Sequence, residues 1–263
     1  MNAFLAAFWA ETLKARRSKV SILTAAGFSI FPIVGGLFMI ILRDPDAART
    51  MGLISTKSQL VAGTADWPTY FDVLLQSTAM GGTILFAFIT AWVFGREFSD
   101  HTAKEILALP TPRGVILAAK FVLMALWMLA LTLVIFVIGL GVGTAIGIPG
   151  WSLGVVWSSF WSLLTLALLN FMLVPFVAFF AGAGRGYLPS LGWAFFSFIL
   201  AQIVSLLGWG GWFPWSVPVL LSGMFGPSGI EQIGIHSYIV ALLAFIAGGA
   251  ATFMWWQSAD QVR

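Results

Sequence analysis

Six stretches of this sequence, at about 20–42, 73–94, 121–146, 155–181, 188–207 and 237–256, contain no Asp, Glu, Lys or Arg. Each is long enough to cross the apolar core of a bilayer, which takes about 20 predominantly apolar residues. A Lys, Arg or Asp at the centre of such a helix costs roughly 2.5–3.5 kcal/mol, and all 13 basic and 10 acidic residues fall outside these windows. Only 9% of the chain is charged, where a soluble domain carries about 25%. So few charges cannot coat a globular surface, and lipid is the solvent this chain is built for. The expected fold class is an all-α integral membrane protein with six transmembrane helices.

The basic residues set the orientation. With the N-terminus in the cytoplasm, the inner side holds Lys14, Arg16, Arg17, Lys19, Arg96, Lys104, Arg113, Lys120, Arg185 and Arg263, and the outer side holds only Arg43, Arg49 and Lys57. Both termini are therefore expected inside. The first 19 residues do not have the order of a secretory signal, because the apolar Phe4, Leu5, Phe8, Trp9 and Leu13 precede the basic cluster. Their helical spacing, with Thr12, predicts an interfacial helix over 1–19 whose basic end meets anionic lipid.

The connections carry further expectations. Residues 43–70 read as an outer loop, and the short uncharged link 147–154 makes the third and fourth spans antiparallel neighbours. "AGAGRGY" at 181–187 is a tight inner turn. Pro32 and Pro175 sit inside spans, where neighbouring helices can satisfy freed carbonyls. Residues 208–229, "GWGGWFPWSVPVLLSGMFGPSG", are too broken by Gly and Pro to span; a re-entrant outer hairpin over 208–235 is expected. Trp209, Trp212 and Trp215 suit that interface, and Trp255 and Trp256 the opposite one.

Several functions are excluded or disfavoured. No basic groove interleaved with aromatics points to nucleic acid. No phosphate-cradling G-x-x-x-x-G-K-[ST] occurs, so the chain has no ATPase of its own. Cysteine is absent, and the two histidines, His101 and His236, fall on opposite sides of the membrane. "GLGVG" at 139–143 lies inside a span with no preceding strand and reads as close helix packing. The spans hold no ionisable group of the kind ion-coupled carriers use. Their polar candidates are Gln76, Thr83, Asn170 and Gln202, which line a pathway or hydrogen-bond between helices.

The charged interruption "GREFSDHTAKEILALPTPRG" at 95–114 stands out against this background. Thr102-Ala103-Lys104-Glu105 fits a capping box. The helix it opens runs through Leu109 and stops before Pro110. Thr111-Pro112 then restarts a helix, with Thr as cap and Pro in its first position. Basic residues there set topology in any case, but a capped helix with charges on one side and Ile106, Leu107 and Leu109 on another also suits a docking surface.

This stretch resembles the first cytoplasmic loop of ABC-2-type exporter permeases, especially the bacitracin-resistance and lantibiotic-immunity branch. Glu97, Phe98, Thr102, Leu109, Pro110, Arg113 and Lys120 match the family pattern in order. His101 departs from it, since relatives often carry Gly before the Thr. The resemblance implies a single permease domain over 1–263 that pairs with a second permease copy or paralogue and with two cytoplasmic ABC ATPase subunits, in a bacterial cytoplasmic membrane. It makes 96–114 the coupling loop, with Arg96, Glu97, Phe98, Ser99, Asp100, Thr102, Lys104, Glu105, Leu109, Pro110 and Arg113 facing the ATPase. Gly184 and Arg185 become a second inner contact. ATP and Mg would sit on the partner subunit, with no cofactor bound directly here. An amphipathic or hydrophobic cargo (peptide antibiotic, drug or lipid) would move outward.

A membrane-embedded lipid-modifying enzyme is the alternative. It would use loop carboxylates such as Asp66 with Asp72, or Glu97 with Asp100, converging beside a lipid-accessible pocket.

Overall fold

A computed structural model describes residues 2–44, 64–102 and 111–258. Among these residues the regular structure is entirely helical. Helix α1 (Ala3–Arg17) starts at Asn2, whose side chain accepts from the Phe4 amide. The spans are α2 (Lys19–Arg43), α3 (Trp67–Ser99), α4 (Arg113–Ile146), α5 (Leu153–Ala183), α6 (Tyr187–Leu206) and α9 (Ile235–Ser258), six helices long and apolar enough to cross a membrane. Between α6 and α9 lie a 3-10 turn (Gly210–Trp212) and two short helices, α7 (Val217–Leu221) and α8 (Gly226–Ile230).

Helix α5 is central, packing on α3, α4, α6 and α9. Its tightest partner is α9, which turns Ser237, Ala241, Ala244, Gly248 and Thr252 inward at helical spacing. Small side chains let two backbones approach, which is how helices associate where lipid removes the hydrophobic drive. A Cβ at Gly248 would lie 3.0 Å from the Phe176 backbone nitrogen. The Thr252 hydroxyl bonds there to the Pro175 carbonyl at 2.9 Å. Pro32 has the same kind of partner, since the Tyr70 hydroxyl donates to its carbonyl at 2.9 Å.

The glycine pattern at 139–143 is a packing device. A Cβ at Gly139 would lie 2.8 Å from Leu74, and one at Gly143 would run into the Trp67 ring.

The helices differ from the sequence expectation at their ends. The third helix begins at Trp67, inside the stretch read as loop, and Trp67 and Tyr70 are buried core residues. Asp66 caps it, its Oδ1 accepting from the Thr69 amide at 3.0 Å, with Pro68 in the first turn. Within α3 the turn Thr78–Gly82 is a π-helix. At the far end α3 runs through Glu97 and α4 already starts at Arg113, so both helices extend beyond the uncharged windows. Thr111 is not the cap and Pro112 is not in the first turn. Pro112 holds the cap position with no side-chain bond, and its carbonyl accepts from Val115 at 2.9 Å.

Two tryptophans also sit differently. Trp256 is buried among neighbouring helices, and Trp215 packs inward against Trp193 and Phe176. Trp209 and Trp212 are exposed.

Candidate functional site: the junction of α1, α3 and α4

Near the shared end of α1, α3 and α4, four charged side chains meet. Lys120 Nζ lies 2.8 Å from Glu97 Oε1 and 3.1 Å from Glu11 Oε2, and it also donates to the Val93 carbonyl at 2.8 Å. Lys14 Nζ bridges the same carboxylates, at 2.6 Å from Glu11 and 2.9 Å from Glu97. Glu11, Glu97 and Lys120 are buried. Charges in so dry a place survive only when paired, and here two carboxylates face two ammonium groups. Burial by itself lowers the Lys14 pKa, but the Glu97 and Glu11 carboxylates outweigh it and hold the group above its ordinary value. The quartet fastens α1 to the ends of two spans.

Around it the loop residues read from sequence take distinct places. Phe98 packs edge-on against Trp255 and Trp256 at 5.6 and 6.0 Å. Arg113 donates to the Trp256 and Gln257 carbonyls at 2.9 and 3.1 Å, closing the last turn of α9. Arg96 pairs with the exposed Asp100 at 3.0 Å and lies 5.2 Å from the Trp92 ring centroid. The Thr102 hydroxyl approaches the Glu97 carbonyl at 3.5 Å. Lys104, Glu105, Leu109 and Pro110, with the capping box, lie outside the described residues. Glu97 therefore turns inward, and Arg96 and Asp100 form the more open face.

The 184–185 turn adjoins the end of α3. The α5–α6 turn closes with the Gly186 amide on the Ala181 carbonyl at 3.0 Å and the Arg185 amide on the Gly182 carbonyl at 3.0 Å, a Schellman arrangement. Arg185 takes the left-handed position at φ 53°. At the end of α3, His101 takes the equivalent left-handed position at φ 58°, a conformation glycine adopts without steric cost. The two turns touch: a Cβ at Gly95 would stand 3.0 Å from the Gly186 carbonyl carbon.

Of the polar candidates inside the spans, the structure joins Thr83 and Asn170, whose Oγ1 and Oδ1 are 2.7 Å apart. Asn170 also donates to the Leu166 carbonyl at 3.0 Å. A cavity of about 30 Å³ beside them, walled by Ser197 and Trp215, has room for about one water. Gln76 and Gln202 make no hydrogen bond to this pair, and the Gln202 amide nitrogen is buried without a partner. Of the carboxylates of the enzymatic alternative, Glu97 and Asp100 do not form an open acid–base pair. Glu97 is held by two lysines and Asp100 by Arg96. Among the described residues no group of His, Asp and Glu could hold a metal.

The model of the ABC-2 family transporter proteins matches residues 7–201, which takes in most of α1, the quartet and both turns. The chain belongs to that family. It is also 30% identical over 197 residues to the bacitracin transport permease protein BCRB of Bacillus licheniformis, covering 73% of this chain and 91% of that relative. The ABC-2 assignment makes this a multi-pass transport permease rather than an enzyme, a kind of subunit that works with ABC ATPase components. Glu11, Lys14 and Lys120 were not legible as one site, because Glu11 and Lys120 stand 109 positions apart. The available signal was a lone acid in the apolar α1 pattern.

Proposed function

We propose that this ABC-2 permease is the membrane subunit of an ATP-driven exporter in a bacterial cytoplasmic membrane, with both termini cytoplasmic. Two ABC ATPase subunits would bind Mg-ATP and engage the 96–114 loop, with the 184–185 turn as a second, smaller contact. A second permease copy or paralogue would complete the pathway. The observation that carries this reading is the quartet. Glu97, in the last turn of α3, is fixed at once to α1 through Lys14 and to α4 through Lys120, so force on the loop moves three helices together.

The small cavity at Thr83 and Asn170 has no room for a large cargo within one chain, which favours a route at the interface between two permeases. An amphipathic or hydrophobic cargo moved outward fits the apolar spans and the relative's bacitracin permease name.

The test is affinity purification of the native complex through a tag on this chain, followed by ATPase assay. A co-purifying ATPase subunit carrying a phosphate-binding loop is expected. Arg96→Ala combined with Asp100→Ala, which alters the open face, should uncouple or release it while the permease stays folded. If this chain purifies alone even after gentle crosslinking, the exporter reading fails.

A further inference from the structure

On the other side of Lys14 from the α4 end, a cavity of about 500 Å³ opens between α1, the start of α2, the end of α3 and the start of α6. Lys14, Arg17 and Arg96 line it, with Trp92, Tyr187 and the single acid Asp100. Lys14 is engaged by the quartet and Arg96 Nε by Asp100. The two Nη groups of Arg96 have no hydrogen-bond partner among the described residues, nor has the exposed Arg17 guanidinium. Two guanidinium groups with open donor forks match the oxygens of a phosphate, as they do those of a carboxylate.

The surroundings identify what carries that phosphate. Ser18 lines the cavity and opens α2. One turn further, on the same face, stands Ile22 at 74% exposure, followed down the helix by Ile30 and Ile33 at 54% and 57%. Leu188, beside Tyr187, is 82% exposed. The charged cavity therefore continues into an apolar surface running along a membrane span, a headgroup site with a track for acyl chains. We infer that the cavity at Arg17 and Arg96 binds the phosphate headgroup of an anionic phospholipid, whose chains lie along the Ile22 face of α2. This lipid seats α1 against the spans, and its binding is read on the chain alone, without cargo or ATPase.

The test uses the full chain in detergent, with native mass spectrometry after titration with phosphatidylglycerol or phosphatidylcholine of identical acyl chains. A cation near an anionic headgroup is worth about fivefold, so wild type should retain phosphatidylglycerol at least about fivefold better. Arg17→Ala with Arg96→Ala should bring the two lipids to parity. Arg16→Ala with Lys19→Ala, at exposed positions outside the cavity, should keep the preference. Equal retention by wild type overturns the inference, and so does equal loss in both double variants, which would mean diffuse surface charge. Displacement of the lipid by millimolar inorganic phosphate also overturns it, because the site would then take a soluble anion. Arg17→Ala alone removes no hydrogen bond or ion pair among the described residues and keeps the test valid if the double variant is unstable.

Discussion

Lys120 Nζ sits 2.8 Å from Glu97 Oε1 with both residues buried, one near the start of α4 and the other near the end of α3. The pair spans the charged loop that separates the second and third spans, and through Glu11 and Lys14 it extends to α1.

Removing one member should leave an uncompensated buried charge. Lys120→Met is expected to destabilise the permease by about 3–5 kcal/mol, the range for breaking a buried pair. Adding Glu97→Gln should restore part of that loss by removing the stranded carboxylate. Denaturant unfolding of the purified chain measures both, and a double variant no better than the single would refute the pairing.

Lys14 gives the quartet a pH signature. Its folded pKa is raised above the ordinary 10.5, so its stabilisation is fully present below that value. It is lost as pH climbs through the folded value. Attachment of α1 should therefore hold through neutral and mildly alkaline pH and weaken only above about pH 10.5. Proteolysis at Arg16 and Arg17, followed against pH, should show that onset, and Lys14→Met should show cleavage already at neutral pH.

Asp66 behaves in the opposite sense. The Thr64 hydroxyl, donating at 2.6 Å, holds its carboxyl below the ordinary value, and the Thr69 amide assists. The cap is in place above about pH 4 and is lost as pH falls through the lowered value. Asp66→Ala should cost about 1 kcal/mol and remove this acid dependence, as thermal unfolding between pH 3 and 7 can show, with the scan ends set around the ordinary aspartate value of about 3.9.

Two adjacent glycines in α9 should differ sharply. A Cβ at Gly248 meets Phe176 at 2.8 Å, whereas one at Gly249 meets nothing within 4 Å. Gly248→Ala is expected to cost about 1–3 kcal/mol by overpacking, and Gly249→Ala to be neutral or slightly stabilising. Melting temperatures of the two variants give the comparison directly.

The Thr83–Asn170 contact should act as interhelical glue. A double-mutant cycle with Thr83→Val and Asn170→Leu is expected to give a coupling of about 0.6 kcal/mol, the average for such bonds inside a membrane. A coupling near zero would count against it.

The six spans were legible because charge is excluded from lipid: uncharged windows and spans coincide except at their ends. The re-aimed ends show where that logic stops. Asp66-Trp67-Pro68-Thr69 carries a helix-start signal, yet it was read as loop because Asp66 and Asp72 bracket it with charge. Glu97 and Lys120 fall outside the uncharged windows because each alone is costly to bury. Together with Glu11 and Lys14 they become tolerable, and helices α3 and α4 extend through them. The sequence by itself determined how many helices are long and apolar enough to cross a membrane and where the charged loop falls, since both follow from local hydropathy. Only the tertiary structure decided that Glu97 faces inward, that the end of α3 and the α5–α6 turn touch, and that Arg17 and Arg96 share a cavity. Those facts depend on residues far apart in the chain meeting in space, and no local pattern encodes such meetings.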